Sequence, residues 1–71
     1  MDKETYLEEL TKAMDRFYKA KMKEDQEKIT YHKGFSEGIM HLLLKMELVT
    51  KNELHEIIKN VELDIPTIYR T

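Results

Sequence analysis

Apolar residues return at spacings of three and four in three separate stretches of the chain, and each stretch reads as a helix. In the first, Leu7, Leu10, Met14 and Phe17 form a stripe flanked by Tyr6, Ala13 and Tyr18, with polar residues opposite. Such spacing keeps returning to one face of a 3.6-residue turn, so it predicts an amphipathic helix over about residues 3–27. Residues 3–28 contain neither Gly nor Pro and are rich in Glu, Lys, Leu, Met and Ala, all good helix formers. Asp2, Glu4, Glu8 and Glu9 gather in the first turns and lysines follow, the order the helix dipole favours. The stripe weakens after Tyr18, because Lys21 falls at its centre and Met22 is the only large apolar residue before Ile29.

The second stretch, Ile29 to Val49, is the densest. It holds both glycines, two of the three histidines, and Ile39, Met40, Leu42, Leu43, Leu44, Met46, Leu48 and Val49. With Tyr31 and Phe35 these positions cover more than half the circumference of a helix over about residues 30–47. That width predicts a central helix packed on two or three sides. Gly34 and Gly38 lie four apart on one edge of the arc, in line with Tyr31, Phe35 and Leu42. Each glycine costs roughly 1 kcal/mol in a helix relative to alanine, which points to close approach by another helix. A helix start near Gly34 and a notch for a partner are the alternatives.

Between these stretches, residues 23–28 (Lys-Glu-Asp-Gln-Glu-Lys) are polar all round and carry no Gly, Pro or clear cap. The first helix either breaks near residues 24–30 or runs on into the second. An unbroken helix would be about 65 Å long and would need another chain to cover it; a break or bend is the preferred reading.

Thr50-Lys51-Asn52-Glu53 fits a capping box, in which the Thr hydroxyl and the Glu carboxylate satisfy each other's backbone N–H groups. A third helix over about residues 51–61 follows, with Leu54, Ile57, Ile58 and Val61 on one narrow face suited to an antiparallel hairpin with helix 2. In the tail, Val61, Leu63 and Ile65 alternate with Glu62 and Asp64, and Pro66 biases Ile65 towards an extended backbone. This predicts a strap laid across the helices or a frayed end, the alternative being an extended segment packed on a second subunit or a partner. The expected fold is all-α: three helices in a single domain, residues 1–71, with an extended tail.

Composition changes this picture in one respect. Of 71 residues, 41% are apolar and 37% charged, with no Cys. A domain this small buries only about 60% of its unfolded surface, and without disulfide or metal staples it often gains burial by oligomerising. A homodimer is therefore expected. The net charge of −2 gives no global attraction to nucleic acid or anionic lipid. No apolar run approaches the roughly 20 residues that span a bilayer, and the charged N-terminus lacks a signal-peptide core. A cytoplasmic protein is expected, with no membrane association.

Candidate chemistry is sparse. His32, His41 and His55 show no metal-binding spacing, and the Glu37–His41 pair, one turn apart, supplies at best half a site. Ser36 is the only serine, no nucleophile–base pair can be assembled around it, and no phosphate-binding loop is present. No cofactor, metal or enzymatic activity is expected. Nucleic-acid binding is the alternative function: Lys12, Arg16, Lys19 and Lys23 form a basic stripe opposite the apolar face of helix 1. Four aligned cations could follow a phosphate backbone. Acidic residues flank the stripe, however, and helix 3 carries Glu53, Glu56 and Glu62 against Lys51 and Lys59, a poor balance for a major-groove helix.

The run from His41 to Lys59 resembles the short helical hairpins of SHOCT-type oligomerisation modules. Leu48, Val49, Thr50, Glu53 and Leu54 match their turn and cap, while Glu47 stands where those modules usually carry Gly. The whole chain is also similar to small accessory proteins of Gram-positive bacteria and their prophages. The first resemblance implies self-association, the second a regulatory or host-interaction role. The expected function is thus a small non-enzymatic interaction module. Its interface draws on helix 1 (Leu7, Leu10, Met14, Phe17) and helix 2 (Tyr31, Gly34, Phe35, Gly38, Ile39, Leu42).

Overall fold

Glu24 ends the first helix where the polar stretch left the matter open. In the computed structural model, which describes residues 2–70, α1 spans Lys3–Met22, α2 Gln26–Lys45 and α3 Lys51–Glu62. Glu24 adopts φ 55°, the left-handed turn that closes a Schellman motif. Its N–H donates to the Lys21 carbonyl, and the Asp25 N–H to the Ala20 carbonyl, each at 3.1 Å. Asp25 then caps α2, its carboxylate accepting the Lys28 N–H at 3.2 Å. One Glu–Asp pair both stops α1 and starts α2, so α1 ends earlier than residue 27 and α2 begins earlier than residue 30.

The same device ends α2. Glu47 has φ 56°, its N–H donating to Leu44 and the Leu48 N–H to Leu43. The capping box then forms as expected: Glu53 N–H to Thr50 Oγ1 and Thr50 N–H to Glu53 Oε1, each 3.1 Å. Glu47 thus occupies the backbone conformation that glycine holds at least cost. Relief of that strain, worth about 1–2 kcal/mol, outweighs the added unfolded-state entropy of glycine, about 0.5–1 kcal/mol. Glu47→Gly is expected to raise the melting temperature by a few degrees, read by circular dichroism; an unchanged or lower value would contradict the assignment.

Antiparallel packing of α1 on α2 builds most of the structure, and α3 and the tail are seated against α1. The α2–α3 turn forms as the sequence predicts, but α1 is the shared partner. Leu10, Met14 and Tyr18 of α1 meet Ile39 and Leu43 of α2, Leu54 of α3, and Val49 and Ile65 of the connections in one core. Leu10 and Leu43 are both 0% exposed. The central helix is therefore α1, not the more apolar α2, which buries only Ser36, Ile39 and Leu43. The shortest dimension is 16 Å. Helix axes pack about 8–10 Å apart, so there is room for two layers, and among the described residues nothing covers the far side of α2.

The tail lies as a strap, closed by a 3-10 turn rather than extended throughout. After α3, Ile65 is buried, Pro66 is extended, and Thr67–Tyr69 form a single 3-10 turn beside α1. Arg70 folds back, donating through Nε to the Ile65 carbonyl at 2.8 Å. Lys21, the interruption in the first stripe, lies with its Nζ 4.7 Å from the Phe17 ring centroid and reaches the Tyr69 carbonyl at 3.5 Å. A lysine at the centre of an apolar stripe is tolerated because its stem packs and its ammonium finds a ring and a carbonyl.

Candidate functional site

The residues expected at an interface divide into two groups. Leu10, Met14 and Ile39 are buried between α1 and α2, and Leu7 and Phe17 pack against the same core. They hold the monomer together and are not free to meet another chain; sequence periodicity marks a buried face without saying which chain buries it. The rest stay outside. Tyr31 is 64% exposed, Phe35 43% and Leu42 46%, and Met46, one turn beyond Leu42, is 46% exposed.

These four side chains and the two glycines form one continuous stripe on the outward side of α2. Tyr31 and Phe35 are stacked, with ring centroids 6.2 Å apart, and the Tyr31 ring meets His32 edge-on at 5.0 Å. Over Gly34 and Gly38 a Cβ would meet nothing within 4 Å. Packing within the chain therefore does not require either glycine. Both stand in open space along this face, between the aromatic pair at one end and Leu42 and Met46 at the other. Met46 is the member the sequence reading missed; it lies on the same face at i+4 from Leu42. Glu27 and Lys45, at opposite ends of the stripe, are exposed and make no ion pair among the described residues.

The basic stripe of α1 is partly neutralised by its own helix. Lys19 pairs with Asp15 at 2.8 Å and Lys12 approaches Glu9 at 4.0 Å. Arg16 and Lys23 make no ion pair among the described residues; together with Lys19 they line a shallow hollow at the α1–α2 turn, with Lys28, His32 and the acidic Asp25. Surface pairs like these are individually weak, yet they remove part of the uncompensated charge that phosphate binding would use.

A cleft of about 370 Å³ runs between the three helices, with Met14, Phe17, Met40 and Ile58 among its lining residues. Ser36 lines it too, buried and with no hydrogen-bond partner for its Oγ among the described residues. At its edge the Tyr18 hydroxyl donates to Glu62 Oε1 at 3.0 Å, tying α1 to α3. Burial first, and then the neighbouring Glu62 carboxylate, push the Tyr18 phenol up to about 12. The raised value belongs to the folded state, so folding favours the neutral phenol. That stability is fully present below about pH 10 and is lost as the pH rises towards about 12. Tyr18→Phe is expected to flatten the fall in stability across this window, measured by urea unfolding; an unchanged alkaline slope would contradict it.

At the other end of the molecule Lys3 and Glu53 join α1 to α3, and Asp2 caps α1. The Asp2 carboxyl is lowered by the Thr5 N–H and then by its hydroxyl. Glu53 is lowered by the Thr50 N–H and then by Lys3, whose Nζ lies 3.2 Å away. Both are structural caps. Among the described residues no group of three or more His, Asp or Glu is placed to hold a metal ion, and no helix is long and apolar enough to cross a membrane.

No family of proteins, no curated protein and no solved structure matches this chain. Its class is set by its own geometry: an all-α protein of three helices, built around α1, with one apolar helix face left open.

Proposed function

We propose that this protein is a small non-catalytic interaction module that works as a homodimer, closed through the outward face of α2. The observation that carries this reading is the exposed stripe of Tyr31, Phe35, Leu42 and Met46 around two glycines with open space above them. Two glycines in an exposed helix cost about 2 kcal/mol together, and no close packing among the described residues offsets that cost. A contiguous apolar patch on a protein this small is a site for association. The resemblance of residues 41–59 to oligomerisation hairpins supports the same reading, and the prophage-type resemblance supports a regulatory role in the cytoplasm. Nucleic-acid binding through Lys12, Arg16, Lys19 and Lys23 is the weaker reading, because Asp15 and Glu9 already engage two of the four cations.

One helix face gives an interface at or below the small end of the range for stable complexes, about 1,200 Å² in total, so concentration matters. The chain mass is 8.6 kDa. Light scattering after gel filtration is expected to show a mass rising towards twice that value at high micromolar concentration. A constant monomer mass throughout would overturn the proposal.

A further inference from the structure

The outward face of α2 carries a charge pattern that fits a second copy in one orientation only. We infer that two chains pair through antiparallel α2 helices about a two-fold axis at the level of position 36, with Glu27 of each chain facing Lys45 of the other. This rests on the proposed self-association and specifies its geometry.

Glu27 and Lys45 are separated by about five helical turns and so share one angular position on α2. They lie at opposite ends of the apolar stripe, opposite in charge, exposed, and in no ion pair among the described residues. A two-fold axis perpendicular to the plane of two antiparallel helices keeps each residue on the same side of that plane while reversing its height. Glu27 and Lys45, sharing an angle and centred on position 36, therefore meet their opposites at both ends of the pair. Gly34 and Gly38 have the same midpoint, so each glycine would face the other one across the axis, where the helices come closest. The open space above both of them is what that approach requires.

The remaining stripe residues fall into register without adjustment. Phe35 lies beside the axis and would meet its own copy. Tyr31 would lie level with Leu42 of the second chain, one aromatic and one aliphatic side chain, both more than one-third exposed in the single chain. A parallel pair would instead set Glu27 against Glu27 and Lys45 against Lys45, bringing like charges together at both ends. Antiparallel pairing also places the positive N-terminal end of each α2 beside the negative C-terminal end of the other.

Charge reversal in separate chains tests the register. Glu27→Lys alone and Lys45→Glu alone each create like-charge contacts at both ends of the dimer. Each is expected to weaken self-association by about tenfold or more at low salt, in sedimentation equilibrium. Mixed in equal amounts, the two variants restore opposite charges at both ends, and a heterodimer of near wild-type affinity is expected. Recovery on mixing also shows that the variants are folded, since unfolded chains would not recover. If the wild type dimerises but either single variant associates as tightly as it does, as a parallel pair would, or the mixture associates no better than either variant alone, the antiparallel register is overturned and self-association stands. If the wild type itself stays monomeric at high micromolar concentration, both are overturned.

Discussion

Leu43→Ala is expected to leave the protein close to unfolded at physiological temperature. Leu43 is one of two side chains with 0% exposure, and it joins α2 to a core that also takes in residues of α1, α3 and the tail strap. Removing a buried leucine side chain to Cβ costs about 2–5 kcal/mol, the larger values where the surroundings cannot collapse into the space. A chain of 71 residues has a total stability of about 4–11 kcal/mol at the usual 0.05–0.15 kcal/mol per residue. Collapse is hindered here because α2, which carries Leu43, is fixed at both ends, by the Asp25 cap and the Schellman turn at Glu47. Urea unfolding followed by circular dichroism measures the loss, and a decrease below about 1 kcal/mol would show that Leu43 is not at the centre of the core.

Phe35→Asp is expected to do the opposite: leave the fold intact and abolish self-association. The side chain is 43% exposed and stacks only on Tyr31 within its own helix, so its loss should change monomer stability by no more than about 0.5–1 kcal/mol. In the proposed dimer it would lie beside the two-fold axis, and each association would bury two carboxylates against an apolar surface with no cation opposite. Desolvating unpaired charges there costs several kcal/mol. Dimerisation should weaken by more than about a hundredfold while the helical spectrum stays unchanged. Sequence periodicity places Leu10 and Phe35 in one expected interface. The structure separates them: Leu10 is core and Phe35 is surface.

The helices themselves were legible because their signals are local. The Leu7–Phe17 stripe and the Thr50–Glu53 capping box each involve residues within a few turns of one another, and both formed as read. The α1–α2 break was harder, since both left-handed turn positions are glutamates rather than glycines. Asp25 was the available signal, a capping residue placed just ahead of a helix. The hierarchy of the helices could not be read, because apolar count measures how much surface a helix offers and not what covers it. Helix α2 has the wider arc, yet part of that arc faces outward, and α1 is the shared partner. The acidic residues flanking the basic stripe are legible in the sequence, but which of them reach its cations is not: Asp15 pairs with Lys19 and Glu9 approaches Lys12.

A second copy is proposed to cover the outward face of α2. Gly34 and Gly38 are the only two glycines in the chain and both lie on that face, so their backbone amide signals report on it directly. A nitrogen–proton correlation spectrum recorded over a dilution series from millimolar to low micromolar is the decisive measurement. The prediction is concentration-dependent shifts at Gly34 and Gly38, shared by Tyr31, Phe35 and Leu42, with Leu10, Met14 and the rest of the α1 core unmoved. Shifts confined to another surface, or none at any concentration, would contradict it.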